Sequence, residues 1–261
     1  MNSTVTTPVD VKLMNMTAVV LFVAFVALCA VTAVRWISRL PVFDIRGIQV
    51  RGEVTHTNAM TLRANVAPRL SGTFFTVDLA RVRTSFESVP WVRHAIVRRD
   101  FPNRLRVELQ EHVPVAYWGG DGELRLVNSF GEVFEANLGE VEQDALPRLN
   151  GPEGQAAEVL AMQRTLSPMF EQMNLPVEEV VLDNGGSWSV QLDNGATIEL
   201  GRGGPREVAE RVQRFLKTLT QVVSRYGRQP SALESADLRH VNGYAIRLRG
   251  VSTIAADGVK K

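Results

Sequence analysis

The chain has 261 residues, 45% of them hydrophobic, with 29 Lys and Arg against 28 Asp and Glu and a single cysteine. This length exceeds a typical domain of about 100 to 150 residues and leaves room for two folded units. One cysteine excludes an intrachain disulfide framework, and no block of like charge suggests a nucleic-acid arm.

The first predicted element is a helix over Leu13 to Val34, a stretch free of charge, glycine and proline. As a helix, its roughly 22 residues span about 33 Å, close to the hydrocarbon thickness of a bilayer. A cleavable signal has a shorter apolar core of about 7 to 15 residues. Here the run continues into Arg35-Trp36, an interfacial boundary. Leu28 stands where a lipoprotein signal wants a small residue, so Cys29 reads as a lipid-facing thiol. Lys12 on one side and Arg35 and Arg39 on the other leave the direction of the span undecided by charge.

Beyond the span the charge is uneven. Residues 35–112 hold 13 Lys and Arg against 7 Asp and Glu, and residues 113–261 hold 15 against 20. Nearly all the positive charge is arginine, whose planar fork of donors suits carboxylates and phosphates. An acidic protein, anionic lipid headgroups or a merely solvated face would each account for it.

Phe43 to Gly52 reads as a short extended segment. Thr57 is placed to cap a helix reaching about Val66, and Asp78 to cap a second helix with Leu79, Val82 and Phe86 on one face and Pro90 beyond its end. Two strands follow, Trp91 to Arg99 and then Leu105, Val107 and Leu109 alternating with Arg106, Glu108 and Gln110, around the turn Asp100 to Asn103.

In the distal half, Leu124 to Phe134 reads as two strands around a turn. A helix then carries Val159, Leu160, Leu166, Phe170 and Met173, with a kink expected at Pro168. The arms Trp188 to Leu192 and Thr197 to Leu200 flank Asp193-Asn-Gly195, a hairpin signal because glycine tolerates positive φ. A long helix runs from Pro205 to Gly227 with a stripe of Val208, Val212, Phe215, Leu216, Leu219, Val222, Val223 and Tyr226. Ser235 to Arg239 and a final strand, with Tyr244, Ile246 and Leu248 alternating with Ala245, Arg247 and Arg249, close the fold, and residues past Gly250 read as a disordered tail.

Catalytic and cofactor chemistry finds little purchase. Gly201-Arg-Gly-Gly-Pro-Arg206 precedes a helix but lacks the spacing of a dinucleotide or phosphate loop, so it reads as a tight turn. His56, His94, His112 and His240 form no pair at metal-ligand spacing, and no Gly-x-Ser-x-Gly or Ser-x-x-Lys motif occurs. Glu178 and Glu179 are adjacent and would point apart on a strand. No catalytic residue, cofactor or metal is expected.

The order strand, helix, helix, strand, strand, with Val89-Pro-Trp-Val-Arg93, Val97 to Leu105 and Glu111 to Trp118, resembles a POTRA domain as it occurs in the FtsQ/DivIB family of bacterial cell-division proteins. The distal half is similar to the same family through Leu146 to Gly154, Ser187-Trp188 with its hairpin, Leu200-Gly-Arg202 and Asp237-Leu-Arg239. It departs at Gly185-Gly186, where family members commonly carry an arginine, and at His240, where tyrosine is usual.

The resemblance implies an α+β chain: a cytoplasmic tail over 1–12, the span at 13–34, a POTRA domain (β-α-α-β-β) at 43–112, an α/β domain on a long antiparallel sheet at 113–250 and a disordered tail at 251–261. It implies a single-pass type II protein of the bacterial inner membrane with its bulk in the periplasm, enriched at the division septum. The implied role is an essential, non-enzymatic scaffold joining early and late division proteins by binding FtsB and FtsL. The resemblance places the partner site at Arg239, His240, Asn242, Gly243, Tyr244, Ile246 and Leu248, with strand addition as the mechanism. Tyr244, Ile246 and Leu248 suit a core-covering role equally well. Rival readings are a transport-associated POTRA protein, which needs a membrane β-barrel, and an envelope hydrolase, which needs a nucleophile and its base.

Overall fold

Continuous apolar sequence makes α1 (Val9–Ile37), a helix that runs beyond the expected span by Val9 to Lys12 at one end and Arg35 to Ile37 at the other. In a computed structural model, which describes residues 9–52, 54–120, 124–141, 146–240 and 243–251, the side chains of its apolar run are exposed throughout. It is the one described helix long and apolar enough to cross a membrane. The expected tail at 1–12 lies outside the described residues up to position 8, and the tail at 251–261 lies outside them after 251.

The chain divides into two units, Met1–Glu111 and His112–Lys261. In the first, β1 (Gly47–Arg51), α2 (Ala59–Val66), α3 (Leu79–Glu87), β2 (Val92–Asp100) and β3 (Arg104–Glu111) give the expected β-α-α-β-β order, with sheet order β1-β3-β2. β1 runs parallel to β3, and β2 runs antiparallel to it. Leu105 and Val107 of the central strand are fully buried under Val66, Val82 and Phe86 of the helices. Asp78 caps α3, accepting from the amides of Ala80 and Arg81 at 2.9 and 3.3 Å.

The cap of α2 falls one residue later than expected. Asn58, rather than Thr57, accepts from the Thr61 amide at 2.8 Å. Thr57 stands one residue ahead of the cap, and its amide donates to Glu111 at 2.9 Å. The amides of Thr55 and His56 donate to the same carboxylate at 2.9 and 3.1 Å. Burial alone would raise the Glu111 pKa, but these three amides outweigh it and hold the group below its ordinary 4.5. The stabilisation is therefore complete above about pH 4.5 and is lost as pH falls through the lower folded value. Glu111→Ala, which orphans three amides, is expected to destabilise the first unit by about 2 to 3 kcal/mol at neutral pH, with faster hydrogen exchange at residues 55–57.

The second unit is built on one nine-stranded sheet. In chain order its elements are β4 (Pro114–Trp118), β5 (Arg125–Asn128), β6 (Val133–Phe134), β7 (Arg148–Asn150), α4 (Ala156–Glu171), β8 (Val177–Leu182), β9 (Ser187–Leu192), β10 (Thr197–Arg202), α5 (Pro205–Ser224), β11 (Leu233–Asp237) and β12 (Ala245–Leu248). The spatial order is β12-β11-β10-β9-β8-β7-β4-β5-β6. The sheet is long, as expected, but mixed: β4 with β7, β7 with β8 and β10 with β11 are parallel. Parallel neighbours need a crossover, and α4 and α5 supply it for β7 to β8 and β10 to β11.

Both helices cover one sheet face. Val159, Leu166 and Phe170 of α4, and Val208, Val212, Phe215, Leu219 and Val223 of α5, are buried against Val180, Val190, Ile198 and Leu200. Tyr226 does not belong to the expected stripe; it lies past the last turn of α5 and is 53% exposed. The turn at Asp193 to Gly195 forms as expected, with Gly195 at φ +79°.

Candidate partner-binding edge

β10 feeds α5 through the glycine-rich loop. The ladder to β9 shifts between Glu199 and Gly201, and Gly201 and Gly203 take φ of +78° and +139°, conformations that side chains resist. Gly204 and Pro205 then start the helix. A side chain at Gly201 would begin 3.0 Å from the Arg239 Cγ, so the missing Cβ also admits that arginine. The guanidinium of Arg211, one turn into α5, donates to the carbonyls of Leu200 and Arg202. The loop is a tight turn locked by an arginine, with its strand-end carbonyls already taken.

Arg202, Arg211 and Arg239 converge there on a cavity of about 510 Å³ that also includes Asp183 and Ser187. Gly185 and Gly186 form the β8–β9 turn beside it, where Gly186 takes φ +78° and its amide donates to the Asp183 carbonyl. A side chain at Gly185 would begin 3.3 Å from Arg202 Nη2. It would also lie 3.2 Å from Asp183 Oδ1, so the turn is tight against both the carboxylate and Arg202, the cross-strand neighbour of Ser187.

Arg239 is held rigidly. Its Nε and Nη2 donate to the two Asp237 oxygens at 2.9 and 2.6 Å, and its amide donates to Oδ1 at 3.0 Å. The Arg239 guanidinium and amide pull the Asp237 carboxyl from 3.8 to about 2. The pair is fully formed above about pH 3.8 and is lost as pH falls toward 2, and the same contact raises the Arg239 pKa. The Arg239 side chain nevertheless remains 59% exposed.

β12 is the outermost strand at this end of the sheet among the described residues, pairing with β11 as Asp237↔Ala245, Ala236↔Ile246 and Ser235↔Arg247. Leu248 is buried and Ile246 half-buried on the core. The Tyr244 ring meets Phe215 of α5 edge-on at 5.0 Å, and its hydroxyl lies 2.7 Å from the Thr218 hydroxyl. These three side chains therefore fasten the strand to the core, Tyr244 directly on α5. Gly243 and His240 are exposed, and nothing described lies within 4 Å of a Cβ built on Gly243. Asn242, expected at the site, lies outside the described residues. A second cavity of about 320 Å³ is lined by Arg211, Arg214, Phe215, Thr218, Leu238, His240, Gly243 and Tyr244, and shares Arg211 with the first.

Residues 43–112 match the POTRA domain of FtsQ type, and residues 116–239 match the C-terminal domain of cell division protein FtsQ/DivIB. Cell division protein FtsQ of Burkholderia pseudomallei is 41% identical over 243 residues, covering 93% of this chain and 94% of the relative. The chain belongs to the FtsQ/DivIB family. Two more FtsQ proteins, from Thiomonas arsenitoxydans and Bordetella pertussis, are 39% and 37% identical over 94% and 92% of the chain and 89% and 92% of their own length. A divisome role follows for a protein anchored by one apolar helix.

Arg211 and Arg214 were not among the residues the sequence pattern singled out, and Arg202 entered only within the Gly201 to Arg206 turn and the Leu200-Gly-Arg202 stretch, not as a site residue. Arg211 and Arg214 stand three residues apart, Arg211 on the flank of the apolar stripe and Arg214 beyond it, and that spacing was the available signal. The histidines have structural uses: His56 stacks on Trp91 at 4.0 Å, His94 lies 2.9 Å from a Glu87 oxygen and His112 stacks on Phe134 at 4.1 Å. Among the described residues no group of three His, Cys, Asp or Glu could hold a metal ion.

Proposed function

We propose that this FtsQ/DivIB protein is a non-enzymatic scaffold, held in the bacterial inner membrane with its two units in the periplasm and concentrated at the septum. It captures FtsB, and with it FtsL, by strand addition at β12, and so links early to late division proteins. The observation that carries the reading is an outermost strand, open at Gly243, beside a cleft of three arginines. An edge strand offers a partner its unpaired backbone groups, which supply affinity, while flanking side chains supply specificity. The arginines suit a carboxylate carried next to the incoming strand.

Titration of immobilised full chain with the periplasmic part of FtsB is the direct test. Arg202→Ala and Arg239→Ala are each expected to weaken capture about tenfold, the size of a lost charge contact of about 1.4 kcal/mol, while Arg206→Ala leaves it unchanged. Equal affinity for all three variants would remove the cleft from the site. Depletion in the host separates the function classes: filamentation favours division, accumulated unexported protein favours transport, and altered peptidoglycan fragments favour hydrolysis.

A further inference from the structure

The first unit exposes an aromatic cluster that neither its core nor the proposed partner site uses. Phe101 in the β2–β3 turn is 74% exposed, Phe75 before α3 is 49% exposed and Val42 is 64% exposed. Phe43 meets Phe75 edge-on at 4.8 Å, Phe75 meets Phe74 at 5.2 Å and Phe74 meets Phe101 at 5.9 Å. Three chain segments far apart in sequence thus present one apolar surface. Contiguous exposed apolar surface of this kind marks an interaction site.

Its position argues for the occupant. α1 ends at Ile37, six residues before Phe43, and the Thr73 hydroxyl donates to the Ser38 carbonyl at 2.6 Å. The Phe74 amide donates to the Phe43 carbonyl at 2.7 Å and the Arg46 amide to the Asn103 carbonyl at 2.9 Å. The Arg99 guanidinium donates to the carbonyls of Phe74 and Val77 at 2.7 and 2.9 Å, which fixes the loop that carries Phe75. The cluster is therefore tied directly to the end of the apolar helix.

Its rim is basic. Arg39, Arg46 and Arg104 are exposed beside its segments and none of the three enters an ion pair among the described residues, whereas of the nearby carboxylates Asp78 lies against Arg81 and Asp100 against Arg106, leaving Asp44. Aromatic rings sit well at the headgroup level, and arginine stems lie along apolar surface while their charge reaches phosphate.

We propose that Phe75, Phe101 and Val42 dip into the bilayer interface beside α1, with Arg39, Arg46 and Arg104 on anionic headgroups, so that the first unit stands on the membrane by a second contact. This rests on α1 lying in the bilayer. Met60, 84% exposed on α2, provides the aqueous reference. It belongs to the opposite end of the unit, because Thr55 to Thr57 bind Glu111 at the far end of β3 from Asn103, about 25 Å away for eight strand residues.

The test uses the full chain with Cys29→Ser, one copy per nanodisc of mixed phosphatidylethanolamine and phosphatidylglycerol. A nitroxide is placed in turn at Val23→Cys, Phe101→Cys and Met60→Cys, and its accessibility to oxygen and to a water-soluble nickel chelate is read. The expected result is hydrocarbon depth at 23, interfacial depth at 101 and an aqueous reading at 60. Removing phosphatidylglycerol or adding Phe75→Asp should shift the label at 101 at least severalfold toward water, with the circular dichroism unchanged. A label at 101 as aqueous as that at 60, with 23 in hydrocarbon, overturns the second contact while keeping the anchor. An aqueous label at 23 overturns both. Shielding of 101 that arises only when two copies share a nanodisc overturns the lipid assignment in favour of a contact between copies.

Discussion

Gly243→Asp is expected to reduce capture of the FtsB periplasmic segment about a hundredfold while leaving the second unit as stable as before, within about 0.5 kcal/mol. No described atom lies near a Cβ at that position, and its φ is not in the left-handed region, so a side chain enters without strain. The new carboxylate would stand on the rim of the cavity lined by Arg211, Arg214 and His240, where it competes for the charge an incoming carboxylate needs and repels that carboxylate directly. Titration by surface-based binding, paired with a thermal melt, reads both halves of the expectation. Gly243→Ser adds bulk without charge and should cost no more than a few-fold. Wild-type affinity in a folded Gly243→Asp variant would show that the partner does not approach this end of β12. Tyr244 is the poorer probe, because its ring packs on Phe215 and its hydroxyl meets Thr218, so any change there mixes stability with binding.

Phe215→Ala should produce the largest loss of stability, about 3 to 5 kcal/mol for the second unit. The ring is 1% exposed, sits among Val212, Leu219 and the sheet, and receives the edge of Tyr244. For a unit of this size the expected drop in Tm is about 10 °C or more. Because Phe215 is the surface on which Tyr244 rests, β12 should lose more hydrogen-exchange protection than β8 on the far side of β9 and β10. Tyr244→Phe removes only the hydroxyl contact with Thr218 and should cost about 1 kcal/mol. Chemical denaturation with exchange mass spectrometry measures both, and equal loosening of β8 and β12 would show that Tyr244 does not fasten the edge through Phe215.

The two expectations differ because Gly243, just before β12, is open to solvent, whereas Phe215 of α5 packs beneath Tyr244 on the core side. Side chains of β12 and of Tyr244 just before it are divided between the core and solvent: Leu248 is buried and Ile246 and Tyr244 half-buried, whereas Ala245 and Arg247 are exposed, the latter 3.6 Å from Glu234. That alternation was legible as a pattern of period two. Whether the strand lay inside the sheet or at its border was not, since the hydrophobic pattern is the same in either place. The answer came from α5, which carries the chain across to place β11 parallel to β10 and leaves β12 as the last strand added.

Local signals set most element positions because they act over a few residues: Asp78 capping α3, Gly195 turning the β9–β10 hairpin, Pro205 starting α5 and the uninterrupted apolar run forming α1. They failed where a distant group intervened. Thr57 has the chemistry of a cap, yet the helix starts one residue later at Asn58, while Glu111, 54 residues away, gathers the amides of Thr55, His56 and Thr57 ahead of it. The arginine cleft was invisible for the same reason, since Arg202, Arg211 and Arg239 meet only once the bulge at Gly201 brings the ends of β10, α5 and β11 together.

The amino-acid sequence alone thus determined the membrane helix, the β-α-α-β-β unit and the family, because each depends on composition, periodicity or a run of neighbouring residues. Tertiary structure decided the mixed direction of the distal sheet, the exposed border at β12, the gathering of three arginines and the aromatic surface beside α1. Each of these depends on which side chains long-range packing leaves uncovered, and that is set by contacts between residues far apart in the chain.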